Sequence, residues 1–288
     1  MCKPFAVLPV VLHVMRIFAA AFASLLVVSV AHAAAVVDEH LEVELVSTRS
    51  ALAPGQTAWL GLRLKHAPQW HTYWINPGDS GLPTKLAWTL PAGYAAGDIA
   101  WPAPKRFDLG ELTNFGYDGE ALLPVPVNVP ADAAIGTRAH LAIEAKWLVC
   151  HEECIPGKAT LTLDLPIAQT ATDTPYRQLF ADARASQPQP APWPAQARLA
   201  GDRIEIAVRG TNLPASPYDG FAVQTRVVAN APPHIEARNG ELLLTFAKSD
   251  YFTAMPKQFD LVLLDRNARS WLLHADSAEQ ATPPITPR

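Results

Sequence analysis

Apolar and polar residues alternate with a period of two along most of this chain. Leu41, Val43 and Leu45 alternate with Glu42 and Glu44, and Trp59, Leu62 and Leu64 lie in the next such run. Leu141, Ile143, Ala145 and Trp147 alternate with Ala142, Glu144 and Lys146; Leu161, Leu163 and Leu165 alternate with Thr160, Thr162 and Asp164. Residues two apart share one face of a strand, so each run predicts a strand with one face on a core. The pattern resumes at Ile204, Ile206 and Val208 and at Leu242, Leu244 and Phe246. A more continuous apolar run follows from Phe259 to Leu264, then Trp271-Leu272-Leu273. Turn signals fall between the early runs at Pro54-Gly55, Pro77-Gly78, Pro91-Ala92-Gly93 and Pro156-Gly157.

The 27 prolines are spread throughout, which disfavours long helices. One helix is expected from Pro175 to Arg184, with Thr174 as its cap and proline in the first turn. It leads into Ser186-Gln187-Pro188-Gln189-Pro190-Ala191-Pro192-Trp193-Pro194, read as a stiff extended linker that does not pair in a sheet. The expected fold is all-β: one β-sandwich over 34–170, the helix and linker over 171–194, and a second β-sandwich-like domain over 195–280. The tail over 281–288 is expected to be disordered.

The N-terminus sets the redox compartment. Arg16 precedes an apolar run from Ile17 to Val30, and Ala31-His32-Ala33 supplies a small-x-small cleavage site. That is the layout of a secretory signal peptide over 1–33, and export to the periplasm is expected. Met15-Arg16 alone makes an economical signal, so Met15 is an alternative start. The competing reading is an uncleaved anchor, against which the apolar core is short. Cys2 is far from any cleavage site and leaves with the signal. The net charge of −4, without a basic patch, argues against nucleic acid as a partner.

The mature chain then holds two cysteines, Cys150 and Cys154, at the tip of an expected hairpin. Three readings compete. A structural staple of this size contributes only about 2 kcal/mol by loop closure, against about 3 kcal/mol for a 15-residue loop. A copper or zinc site would add a histidine such as His151. Thiolates suit Cu(I), and Cys-x-x-x-Cys followed by proline is shared with copper chaperones of the Sco type. Their thioredoxin-like βαβ pattern is absent, and zinc normally wants four ligands. The third reading is thiol–disulfide exchange through a mixed disulfide. Glu152 and Glu153 would raise the thiol pKa, with Lys146 and Lys158 opposing them.

The flanking sequence sharpens this choice. It contains Trp70-His71-Thr72-Tyr73-Trp74, then Asn76-Pro77-Gly78-Asp79-Ser80-Gly81-Leu82-Pro83-Thr84, and Trp101-Pro102-Ala103-Pro104. Phe115-Gly116-Tyr117-Asp118-Gly119-Glu120, Leu122-Leu123-Pro124-Val125 and Trp147-Leu148-Val149-Cys150 with Cys154-Ile155-Pro156 complete the order. In these motifs the chain from about Leu41 to Leu165 resembles the N-terminal periplasmic domain of the protein-disulfide reductases DsbD and ScsB, on the ScsB side. The resemblance implies an immunoglobulin-like β-sandwich, no cofactor, and electron passage from a membrane-embedded domain to periplasmic thioredoxin-fold proteins. It also implies that Cys154 forms the mixed disulfide and Cys150 resolves it. A cap loop with an aromatic lid is implied as well: the segment from Arg106 to Tyr117 lies at the matching place, with Phe107 or Phe115 as the lid.

Tyr73 and Tyr117 are the other candidate site-lining residues, each with a packing role as the alternative. Asp79 and Ser80 are read as turn residues, and His71 and His151 as surface or packing histidines rather than ligands. Two departures stand out. The cysteine spacing is tighter than in the enteric DsbD type, and the chain carries neither the membrane conduit nor a thioredoxin-like Cys-x-x-Cys domain. The electron donor is then expected on another polypeptide, or the chain is a free-standing family member or a fragment of a longer membrane reductase. No small-molecule substrate is expected, and a copper-tolerance adaptor remains the rival class.

Overall fold

The computed structural model describes residues 35–37, 40–214, 217–238 and 240–277. The expected signal peptide with Cys2, and the tail over 281–288, lie outside the described residues. Among the described residues no helix is long and apolar enough to cross a membrane.

The first domain is built from β1 (Val36–Val37), β2 (Leu41–Ser47), β3 (Thr57–His66), β4 (His71–Gly78), β5 (Lys85–Thr89), β6 (Ala95–Ala96), β7 (Lys105–Leu109), β8 (Leu112–Asp118), β9 (Glu120–Asn128), β10 (Arg138–Cys150) and β11 (Cys154–Pro166). One five-stranded sheet runs β1-β2-β3-β9-β6. A six-stranded sheet runs β11-β10-β4-β8-β7, with β5 alongside β10. Most of the alternating residues foreseen as core face inward. Trp59 is the exception, since it lies on the other face of β3 and packs half-buried against the Phe180 cluster, while Leu60 takes the inward position. Leu41, Val43 and Leu45 of β2 and Leu60, Leu62 and Leu64 of β3 pack with Leu141, Ile143, Ala145 and Trp147 of β10 in one buried cluster. The domain is an all-β, immunoglobulin-like sandwich. Burying one such leucine contributes about 1.5–3 kcal/mol, so this core outweighs many times the about 2 kcal/mol of a short disulfide ring.

Three local expectations are corrected. Pro156-Gly157 is not a turn: β10 and β11 pair without a break from Arg138↔Pro166 to Cys150↔Cys154. Gly157 lies opposite Trp147, whose indole occupies the space a Cβ would need. Pro77-Gly78 likewise ends β4 rather than turning, with Gly78 opposite Asn114. The cap segment is a hairpin, not a loop: β7 pairs with β8 from Lys105↔Gly116 to Leu109↔Leu112.

The helix α1 (Arg177–Ala185) starts two residues later than expected. The Thr174 hydroxyl donates to the Ser47 carbonyl at 2.5 Å and accepts from the Tyr176 amide at 3.3 Å, so it ties the approach to β2 instead of capping the helix. Phe180 and Ala183 bury against Val46 and Leu122 of the first domain.

The proline segment is also not a free linker. Its short strand β12 (Gln189–Pro190) pairs in parallel with Trp271-Leu272, and the Ala191 amide donates to the Leu272 carbonyl at 3.0 Å. Proline is tolerated because β12 lies off the main strand path, where a missing amide costs no ladder bond. The second domain continues through β13 (Ala195–Ala200), β14 (Arg203–Arg209), β15 (Pro217–Ala222), β16 (His234–Arg238), β17 (Glu241–Ala247), β18 (Gln258–Asp265) and β19 (Ser270–Ser277). These form one eight-stranded sheet in the order β15-β18-β19-β13-β14-β17-β16, with β12 beside β19. The sheet folds over on itself, since a Cβ on Gly220 of β15 would meet Leu244 and Phe246 of β17 at 3.3 Å. Its Phe221, Val262 and Leu264 extend the core of the first domain, and Phe221 stands edge-on to Phe115 at 5.1 Å.

Candidate functional site

Cys150 ends β10, Cys154 opens β11, and the two are cross-strand partners closed as a disulfide with Cα atoms 4.2 Å apart. Directly opposed residues in an antiparallel pair point to the same face. Register therefore sets a row across the six-stranded sheet: Cys154 and Cys150 pair, Cys150 pairs with His71 of β4, and His71 with Asp118 of β8. Tyr73, two residues beyond His71, shares that face. It is the face turned away from the sandwich core, because Trp74 and Trp147, of opposite parity, pack inside.

The two sulfurs have different surroundings. Cys150 is completely buried, whereas Cys154 is exposed. The Tyr73 hydroxyl lies 3.3 Å from the Cys154 Sγ. A disulfide sulfur has no proton to give, so the hydroxyl donates. Burial pushes the Tyr73 pKa up, which keeps that donor protonated. Asn114, fully buried, supports the phenol. Its Nδ2 is 3.5 Å from the Tyr73 hydroxyl, and its Oδ1 accepts from the Ser80 amide at 3.1 Å and hydroxyl at 3.0 Å. Gly81 closes the other side of the ring. Its φ of +90° suits glycine, and a Cβ there would run into the Tyr73 ring. Asp79 accepts from the Thr113 amide at 2.8 Å, the backbone role foreseen for it.

Phe107 and Phe115 part company. Phe107 of β7 stacks on the His71 ring, with centroids 4.5 Å apart and planes 13° from parallel, on the face of the cysteine pair. Phe115 is opposite Arg106 and points the other way, buried against Phe221 at the junction with the second domain. Tyr117 is also on the inner face, where its buried hydroxyl donates to the Pro102 carbonyl at 2.8 Å. Burial holds its pKa well above the usual value.

Lys146 and Lys158 do not serve the cysteines. Both grip Glu144, at 2.8 and 2.6 Å, and hold its pKa down to about 2. His151 stands half-buried beside Trp70 with ring centroids 5.9 Å apart, and Trp70 in turn stacks on His40 at 3.7 Å. Among the described residues no three His, Cys, Asp or Glu side chains come together to hold a metal ion.

His71, expected from the sequence as a surface or packing histidine, is a packing residue that stands in the cysteine row. It is 1% exposed, its Nε2 has no hydrogen-bond partner, and it lies between Phe107 and the cysteine row. Desolvation lowers its pKa to about 4, helped by the neighbouring His66 and His151 and opposed by Asp118. A protonated unfolded chain and a neutral folded one then differ in bound protons between pH 6.5 and 4. Folding stability falls as pH drops through that window, by up to about 3 kcal/mol at 1.36 kcal/mol per pKa unit. Chemical denaturation of the oxidised protein at pH 7 and pH 4 should show this loss, and His71→Gln should lose less by that amount. Equal losses would show that His71 does not titrate as a buried base.

These features define a class: an immunoglobulin-like sandwich with a disulfide at a hairpin tip, one sulfur exposed and the other buried, flanked by aromatic residues. Residues 41–166 match the family model of the thiol:disulfide interchange protein DsbD, N-terminal, and the chain carries a DsbD/ScsB N-terminal domain, a thiol–disulfide exchange module. Among solved structures it is similar to the N-terminal periplasmic domain of ScsB from Proteus mirabilis. The TM-score is 0.66 and the identity 17%, over 85% of this chain and 97% of that one. That span exceeds the family-model region, so the likeness of fold takes in the second domain. A mixed-linkage glucan utilization protein, SGBP-B, from Bacteroides ovatus covers 81% of this chain and 44% of its own at 10% identity, but its TM-score of 0.19 carries no weight. No curated protein matches.

Proposed function

We propose that this protein relays electrons in the periplasm through Cys150 and Cys154 to thioredoxin-fold proteins, drawing on a membrane-embedded donor. The observation that carries this reading is the asymmetry of the pair: an exposed Cys154 beside a phenolic donor, and a buried Cys150. In the reduced state the Cys154 thiolate attacks the partner's disulfide, forming one intermolecular S–S bond and releasing a partner thiolate that takes up a proton. The Cys150 thiol then loses its proton and attacks Cys154. The intermolecular bond breaks, the second partner sulfur leaves as a thiolate, and the Cys150–Cys154 disulfide closes. Two electrons have passed to the partner.

Tyr73 assists by donating to the Cys154 thiolate, which favours the charged and nucleophilic form. Phe107, stacked over His71, is the aromatic cap on the Cys150 flank. Export through the N-terminal signal and the family placement both support a periplasmic site, where a disulfide persists. The test is a trap. Reduced Cys150→Ser protein mixed with a panel of oxidised thioredoxin-fold proteins should accumulate a mixed disulfide through Cys154, visible on non-reducing gels. Cys154→Ser should give none. Failure of Cys150→Ser to trap any of the panel would sink the relay.

A further inference from the structure

The cap strand touches two things at once. Phe107 leaves β7 on the outer face and stacks on His71. Arg106, the preceding residue, leaves on the inner face and reaches the second domain. Its Nε and Nη2 donate to the two carboxylate oxygens of Asp219 at 3.0 and 2.6 Å, and its Nη1 donates to the Asn230 carbonyl. The guanidinium also lies over two rings, 4.9 Å from the Phe115 centroid and 5.0 Å from that of Phe221.

This is not a solvated surface pair. The Arg106 and Asp219 side chains are only 10% and 9% exposed. A planar fork matched to both carboxylate oxygens and stacked on rings fixes orientation as well as distance. The second strand of the hairpin is held from the same side: the Asn230 amide donates to Asp79 at 2.8 Å, and Asp79 accepts from the Thr113 amide of β8. At the far end of the junction Asn76, buried, donates to the Ala222 carbonyl at 2.8 Å. Both strands of the cap hairpin are thus fastened to the second domain.

We propose that Arg106 and Asp219 are positioning residues through which the second domain holds Phe107 closed over the His71–Cys150 flank, and that this confines exchange to Cys154. The inference rests on Phe107 as the cap of the site proposed above. Cys154 is open whether or not the cap is shut, since it stands at the far end of the row. Cys150 is reachable only when the cap lifts. The second domain is then a structural part of the redox site: it decides which sulfur the solvent and a partner can reach.

Single-cysteine proteins test this with iodoacetamide: the thiol gives its proton to the buffer, and the thiolate attacks the CH2 carbon, forming an S–C bond and expelling iodide. In Cys154→Ser protein, adding Arg106→Lys or Asp219→Asn should speed alkylation of Cys150 about tenfold, in proportion to the time the cap stands open. In Cys150→Ser protein the same changes should leave Cys154 within about twofold of its parent, because it is already exposed. Arg106→Lys keeps the charge in the junction and Asp219→Asn keeps the shape, so a folding failure of one leaves the other to read. In a Phe107→Ala background, where the cap is gone, Arg106→Lys should add nothing.

An unchanged Cys150 rate in a folded variant overturns the proposal. So does an equal acceleration of both cysteines, which would mean general loosening, and so does a full Arg106 effect without Phe107. No protein partner enters this measurement. A failed trap would therefore remove the relay without touching this result, and a failure here would leave the trap standing.

Discussion

In the fully reduced protein, Cys154 should be alkylated on the order of 100-fold faster than Cys150, a ratio set by a local opening of roughly 2.7 kcal/mol that only Cys150 requires. The expectation follows from placement on the sheet. Cys154 opens β11, the outermost strand of its sheet, and is exposed; Cys150 lies one strand further in, between Cys154 and His71, and is completely buried. The phenol of Tyr73 adds to the difference, since it lies 3.3 Å from the Cys154 sulfur and a donor there favours the reactive thiolate. Substoichiometric iodoacetamide followed by peptide mass mapping measures the ratio. Tyr73→Phe, which removes the donor and keeps the ring, should reduce the Cys154 rate without raising that of Cys150. A ratio near one would remove the structural basis for assigning attack to Cys154 and resolution to Cys150.

Much of this architecture was legible because strands write their burial into every second residue. The runs from Leu41, Leu141 and Leu161 put their apolar members in one core, and the cysteine pair stood out as the one reactive feature. What escaped was whatever depended on register or on distant partners. Phe107 and Phe115 sit in adjoining strands and look alike in sequence. Which of them faces the cysteines depends on the pairing of β7 with β8, and a shift of one residue would reverse it. Pro156-Gly157 reads as a turn because the indole that needs the glycine belongs to the opposite strand. Arg106 and Asp219 are 113 residues apart, and nothing local to either marks the other. Lys146 and Lys158 seemed placed to act on the thiols, but a nearer carboxylate, Glu144, takes both. His71 is the packing histidine its sequence suggested, but its place in the cysteine row exists only across strands.

The row also makes one glycine indispensable. Gly116 of β8 lies opposite Tyr73 of β4 and Lys105 of β7, in the middle of the sheet that carries the site. A Cβ there would overlap the Thr72 carbonyl oxygen and come within 2.8 Å of its carbon and 3.0 Å of the Tyr73 Cα. All of these are backbone atoms, so no rotamer change relieves the contact, and β4 and β8 must separate. Gly116→Ala should therefore cost about 3 kcal/mol, the upper end for inserting a methyl group into a packed interior. For a protein of this size that corresponds to a fall in Tm of about 6–12 °C. Gly119→Ala is the matching control just past the end of the same strand, where the chain crosses from β8 to β9, a Cβ meets nothing within 4 Å and only the φ of +61° is unfavourable. That change should cost about 1–2 kcal/mol. Because the displaced backbone includes Tyr73, Gly116→Ala should also slow alkylation of Cys154, while Gly119→Ala should not. Thermal unfolding and alkylation of the two variants side by side separate these effects. Equal stabilities, or a slowed Cys154 in both, would mean that the β4–β8 pairing does not hold the phenol on the sulfur.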